Sequence, residues 1–253
     1  MPAPRTTPRP TAEHSIRLLP WLLLTLLLMA AAPEVSAETV VGNGKAAGET
    51  RDTGEFDAIG LNGGMALKLR QGRPTSVVVH GDSNLLPLIE TVVEGDRSLN
   101  VRWKPGVSVR SQTPVFVEVV TPQVHAVSSA GSGDIEIDVM KVPQLALSIK
   151  GSGDLRAKDL NTGELAIRIA GSGGLKLAGR SSRMTIKLSG SGGVDASDLR
   201  CDDVTVGIAG SGDAMVHASR SLVASIAGTG AVRYSGDPSV QQSIAGSGSV
   251  RKR

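Results

Sequence analysis

The acidic and hydroxyl residues of one short motif are the first candidates for chemistry. Asp134, Asp154 and Asp213 each close a Gly-Ser-Gly-Asp stretch, and the stretch returns with Gly174, Gly193, Ala231 or Ser249 in the acidic place. Carboxylates repeated along a chain could hold calcium, which takes six or more oxygens. Three acids spread over seven motifs are sparse for that, and calcium-binding repeats use denser Gly-Asp nonapeptides. A turn-forming Asp beside glycine accounts for them. The row Ser132, Ser152, Ser172, Ser191, Ser211, Thr229 and Ser247 predicts a hydroxyl ladder along one edge rather than a set of nucleophiles. The glycines would cradle a phosphate only if a helix followed them. A strand pattern follows instead, so no nucleotide or other cofactor is expected.

Other reactive types are scattered. A polysaccharide-cleaving β-helix would gather charges on one face beside aromatic sugar platforms. Asp159 and Asp198 share one motif offset but stand two repeats apart, with Gly179 between them. Past the leader the aromatics are Phe56, Trp103, Phe116 and Tyr234. His80, His125 and His217 lie in different segments without metal-ligand spacing. Cys201 is the single cysteine, so no internal disulfide forms. Asp202 and Asp203 beside it disfavour a thiolate, which predicts an idle or buried thiol. These readings predict no catalytic, cofactor or metal residue.

The elements that must position these residues follow from the motif's period. The glycine pairs are Gly131 and Gly133, Gly151 and Gly153, Gly171 and Gly173, Gly190 and Gly192, Gly210 and Gly212, Gly228 and Gly230, Gly246 and Gly248. First glycines follow one another at intervals of 20, 20, 19, 20, 18 and 18 residues. A fixed period of this length marks stacked turns, each burying its apolar face against its neighbours. Before each motif, columns such as Leu147, Ile167, Ile186, Val206 and Ile149, Ile169, Leu188, Ile208 alternate with polar residues. After it, Ile135, Leu155, Leu175 and Val194 begin a second alternating run. Period two means half-buried strands. Parity carried across the motif turns both glycines inward, at a corner where no Cβ fits. Each turn is therefore strand, glycine corner, strand and a looser polar return, with Met140, Leu160 and Leu199 able to plug the core. The predicted fold is all-β: a single-stranded parallel β-helix of 18–20-residue coils. Seven turns at about 4.8 Å make a rod on the order of 30 Å long.

The rest of the chain divides around that rod. Residues 1–37 read as a secretory signal: Arg5, Arg9 and Arg17 precede an apolar run from Leu18 to Ala32, and Val35-Ser36-Ala37 offers cleavage between Ala37 and Glu38. The run is shorter than the roughly 20 residues of a membrane span. No transmembrane segment is expected in the mature chain. Residues 38–54 are Gly-, Thr- and Glu-rich and expected to be flexible. The β-helical domain spans 55–250, with irregular capping coils over 55–123 and the glycine repeats over 124–250. In the capping part, Met65–Arg70 and Ser76–His80 read as strands, Ser83–Ile89 could hold one helical turn, and Glu90–Trp103 reads as a hairpin. Residues 251–253 form a basic tail. Lys and Arg number 27 against 24 Asp and Glu, and three of the basic residues lie in the leader. Such a balance does not call for nucleic acid.

Three segments in this order resemble a bacterial family: Gly54–Ile59, then Val78–Leu86 with its His80-Gly81-Asp82-Ser83-Asn84 core, then Thr121–Asp134 with the later glycine turns. Over residues 55 to 235 the chain is similar to the putative autotransporter adhesin, head GIN domain family. The resemblance implies an exported β-helical domain with an adhesin role proposed by analogy, and it supplies no catalytic residues.

The functional expectation is a non-enzymatic exported solenoid acting in adhesion or envelope scaffolding through a repetitive surface. The alternative is a periplasmic or surface carbohydrate-binding or carbohydrate-cleaving β-helix, which needs a clustered acidic or aromatic face. The expected location is the periplasm or cell surface. Expected partners are a protein or polysaccharide ligand and a second copy meeting at the solenoid ends.

Overall fold

A computed structural model describes residues 39–253. The leader, Ala37 and Glu38 lie outside the described residues. The chain begins with two short strands, β1 (Thr39–Val41) and β2 (Ala46–Arg51). A first coil follows as β3 (Ala58–Gly63) and β4 (Ala66–Gln71). Next come β5 (Ser76–Asp82), a 3-10 turn at Leu86–Leu88, the hairpin β6 (Ile89–Glu94) and β7 (Ser98–Trp103), then β8 (Ser108–Arg110) and β9 (Phe116–Thr121). The repeats open with β10 (Ala126–Gly131). They continue as long bent strands: β11 (Ile135–Gly151), β12 (Leu155–Gly171), β13 (Gly174–Gly190), β14 (Gly193–Gly210) and β15 (Asp213–Gly228). The last coil contains β16 (Ala231–Ser235), β17 (Ser239–Gly246) and β18 (Ser249–Lys252).

The bends are written in the alternation. In β11, Ile135 and Ile137 point in; Asp138 and Val139 both point out; Met140 and Val142 point in; Pro143 and Gln144 both point out; Leu145, Leu147 and Ile149 point in. Each outward pair reverses parity, so the strand turns a corner there. With the glycine corner, this makes a three-sided coil. The return is therefore not loose, as its polarity suggests. It is paired strand, with Met140 opposite Leu160 and Val142 opposite Thr162. The predicted plugs Met140, Leu160 and Leu199 are fully buried. Successive coils pair in parallel, placing Leu147, Ile167, Ile186 and Val206 in one buried file. Each such side chain contributes about 1.5–3 kcal/mol by leaving water, and neighbouring coils provide the cover.

The N-terminal end closes differently. β3 and β4 supply the leg, corner and exit strand of one more coil: β3 pairs in parallel with β10, and β4 with β11. Beyond them β7 lies parallel on β3, and β9 parallel on β4. Strand direction then reverses, with β6 antiparallel to β7, β5 to β9, and β2 to β5. The expected hairpin and helical turn are both present. The segment 38–54, expected to be flexible, instead carries β1 paired with β8 and β2 paired with β5. Its polar residues are compatible with an edge strand, which packs only one face; Ala47 meets the core and Arg51 Nη2 donates to the Leu86 carbonyl at 2.7 Å. Asp82, wholly buried, accepts from the amides of Gly44, Gln112 and Thr113 at 2.7, 2.9 and 3.2 Å. Burial alone would raise its carboxyl pKa, but these amides outweigh burial and hold it below the ordinary carboxylate value.

At the other end, the basic tail also joins the sheet: β18 reaches Lys252 in register with β16, and the Arg253 amide donates to the Tyr234 carbonyl at 2.8 Å. Among the described residues nothing covers this last coil. Val240 and Ile244 are each 38% exposed, while Leu222 and Ile226 one coil above are 0% and 1% exposed.

Candidate functional site

The corner column is the most regular surface. The first glycine of each motif stands opposite the first glycine of the next, from Gly131 through Gly246. Gly151 and Gly171 adopt φ of +133° and +135°, a region that L side chains rarely enter. A Cβ at Gly171 would also strike the Gly151 carbonyl, and one at Gly173 the Gly153 carbonyl. The obstruction is thus the backbone of the coil below as well as the bend itself. In return, the first-glycine carbonyls from Gly131 to Gly228 bind the next coil. Gly151 O accepts from the Ser172 amide at 3.0 Å and the Gly173 amide at 3.1 Å.

The column holds one more corner than the motif shows. Gly63 stands opposite Gly131, with φ of +105°. The signal in the sequence is Gly63-Gly64 leading into the alternation of Met65, Leu67 and Leu69.

The acids of the motif act along the axis. Asp134 Oδ1 accepts from the Asp154 amide at 2.9 Å, Asp154 Oδ1 from the Gly174 amide at 2.9 Å, and Asp213 Oδ1 from the Ala231 amide at 2.8 Å. Each carboxylate therefore ties its corner to the next coil. The hydroxyl row makes one side-chain link, Thr229 Oγ1 to Ser211 Oγ at 3.0 Å.

Two flanks of the rod differ in use. The leg leading into the corner keeps unbroken register from β10 to β17. Its outward file, Ser128, Ser148, Arg168, Lys187, Gly207 and Ser225, belongs to a flat face of mainly small residues. The return carries all of the register shifts between coils, between Ala157 and Leu160, Lys176 and Ala178, Ala196 and Arg200, and Cys201 and Asp203. Gly179, at φ +126°, lets its coil run one residue short against Leu160. Ser197, Asp198 and Leu199 have no partner in β15.

These steps leave a cleft of about 610 Å³ on the return side. Asn161, Arg180, Arg200 and His217 pair in succession across four coils and line it. Asp159, Asp202, Ser182 and Ser219 also line it, while the buried Thr162 and Ser181 border it with their hydroxyls donating to the Glu164 and Arg183 carbonyls at 2.7 and 2.8 Å. Ser219 Oγ donates to Asp202 Oδ1 at 2.9 Å, and His217 Nδ1 lies 2.9 Å from Ser235 Oγ. Nearby Arg183 pairs with Glu164, and Arg220 with Asp203. The bonds from Arg220 and Ser221 hold the Asp203 carboxyl at about 2. Arg180 and Arg200 form no ion pair among the described residues. Cys201, 2% exposed, also borders the cleft; burial, reinforced by Asp202 and Asp203, pushes its thiol up to about 11.

The remaining candidates are not brought together. His80 stacks on Phe116 with centroids 4.4 Å apart, and its Nε2 lies 3.4 Å from Glu118. His125 Nδ1 lies 3.4 Å from Asp57. Of the acid pair at matching offsets, Asp159 lines the cleft and Asp198 does not. The arrangement suits binding: cations without partners, hydroxyl donors and acceptors, and a buried thiol with little thiolate.

Comparisons with known proteins accord with this architecture. A crystal structure of a putative adhesin from Bacteroides fragilis is 24% identical with a TM-score of 0.79, covering 85% of this chain and 100% of its own. A putative lipid binding protein from Parabacteroides distasonis is 26% identical with a TM-score of 0.73, at the same coverages. A putative adhesin from Parabacteroides merdae is 25% identical with a TM-score of 0.65, covering 85% of this chain and 99% of its own. No curated protein sequence matches significantly. No helix among the described residues is long and apolar enough to cross a membrane. The family profile for the putative auto-transporter adhesin, head GIN domain, matches residues 55–238, and the chain belongs to that family.

Proposed function

We propose that this chain is a non-enzymatic, exported β-solenoid that works by adhesion or envelope scaffolding, presenting its flat flank to a protein or polysaccharide. The observation that carries the reading is the leg before the corner, whose outward residues keep register through every coil of the repeat region. An extended ligand with its own repeat can meet such a face at many equivalent points, and weak contacts then multiply. Lys150, Arg168 and Lys187 add positive charge to an otherwise small-residue surface. The family's description and the putative adhesins of the same fold support the reading.

Protease shaving of intact cells tests it, with an epitope placed after Arg253. Loss of the epitope while an internal periplasmic control survives is the expected result. Protection until the outer envelope is opened overturns adhesion and leaves a periplasmic scaffold. The same proposal includes self-association at the last coil, where Val240 and Ile244 sit on an unpaired strand edge. Such an edge can pair with another strand. The double change Val240→Lys and Ile244→Lys should lower the native mass; an unchanged mass removes that contact.

A further inference from the structure

We infer that the return-side cleft between β12 and β15 binds a uronic acid unit of an acidic saccharide, with Arg180 and Arg200 holding its carboxylate. The inference goes beyond the reading above, adding a second contact, with its own ligand class, on a different flank.

Three observations carry it. Arg180 and Arg200 are direct Cα partners in adjacent coils, and His217 continues the file one coil further. Two guanidinium stems fixed about 4.8 Å apart repel each other in the absence of an anion. Lys141 precedes Asn161 in the same file, also without an ion pair among the described residues, whereas nearby Arg183 pairs with Glu164 and Arg220 with Asp203. The second observation is shape. Around the short coil at Gly179 the return side holds a cleft of about 610 Å³, large enough for sugar rings.

The third is the mix of lining groups. Asp159 and Asp202 stand beside Asn161 and the Ser182 and Ser219 hydroxyls, a set that exchanges hydrogen bonds with sugar hydroxyls. Two carboxylates also disfavour a doubly charged phosphate more than a singly charged carboxylate. The guanidinium fork matches a carboxylate in plane. The sugar can come from a soluble polysaccharide or from a glycolipid headgroup.

The test uses the purified full chain and two probes. One is an oligogalacturonate, with the neutral galactose oligomer of equal length as its control. The other is a phosphatidylcholine vesicle carrying a glucuronosyl diacylglycerol. Calorimetry or sedimentation should show binding of one or both acidic probes, weakening as salt rises. The pair Arg180→Gln and Arg200→Gln should weaken it by roughly tenfold or more, with the circular dichroism melt unchanged. Lys45→Gln, in the exposed loop between β1 and β2, should leave it intact. Binding of the vesicle alone assigns the headgroup source, and binding of the oligomer the polysaccharide source. No binding of either probe, equal binding of the neutral oligomer, or full affinity in the double variant overturns the site. A failure here leaves the shaving result untouched, and a protected epitope leaves this result untouched.

Discussion

The leg that enters each corner and the return that leaves it belong to the same coils, yet they hold register by different means. In the leg, Leu147, Ile167, Ile186 and Val206 follow one another without a slip, because the glycine corner downstream allows one geometry only. A Cβ there meets a carbonyl of the coil below. In the return, coils differ by one to three residues, and the extra residues leave the ladder while Leu160, Leu199 and Met140 stay buried. Rigidity and tolerance are thus separated by a few residues within a single strand. The difference suggests where a solenoid can acquire a cleft without losing its stack.

The comparison breaks most visibly under insertion. One alanine added after Ile167 would turn Ile169 outward and reverse the parity entering the corner. Apolar side chains worth about 1.5–3 kcal/mol each would be exposed, so thermal unfolding by circular dichroism should lose its cooperative transition. The same residue added after Asp198 joins an existing bulge and should shift the midpoint by only a few degrees. Next in size is Gly171→Ala. Backbone strain alone is about 1–3 kcal/mol, and the collision with Gly151 adds to it, whereas Ser172→Ala beside it should stay within about 0.5 kcal/mol. Denaturant midpoints of the two variants check this.

Smaller effects sharpen the contrast. Asp154→Ala removes the bond to the Gly174 amide and should cost about 0.5–1.5 kcal/mol in the same measurement. Acid separates the return from the leg. Asp203 has a folded value of about 2 against an unfolded value near 3.9. Its contribution is fully present above the unfolded value and fades as pH falls from about 4 towards 2. Asp203→Asn should therefore reduce the loss of melting temperature over that window, and a parallel shift at all pH values would contradict the assignment. Last, Cys201 should resist alkylation at pH 8 in the native state and react on denaturation, as mass spectrometry would show.

Much of this was legible before the fold. The glycine period and the alternation around it define the coil, the parallel stacking and the inward glycines, because one repeated steric constraint leaves a repeated mark. Gly63 escaped, since its motif lacks the serine and stands apart from the other corners. The strands of 38–54 escaped because β2 is held by β5 at an edge, and edge pairing leaves little apolar pattern. The cleft escaped for a different reason. Arg180, Arg200 and His217 lie nine, ten and seven residues after their respective first glycines. Aligned on the corners they fall in different columns; only the register shifts of the return bring them into one file.

The hydrogen bonds of the corner also give the rod a direction. From Gly63 to Gly228, one carbonyl on each level points forward, and amides of the following level point back to it. Beside this file bonds of the opposite sense run, as from the Ile135 amide to the Asp154 carbonyl at 2.8 Å, so the rod as a whole carries little net dipole. The first-glycine file keeps one sense from the cap to Gly246, whose carbonyl meets no further amide among the described residues. Arg251, Lys252 and Arg253 occupy that same terminal coil. The corner file is thus directional in its bonding, and its one open acceptor lies in the coil that carries these cations.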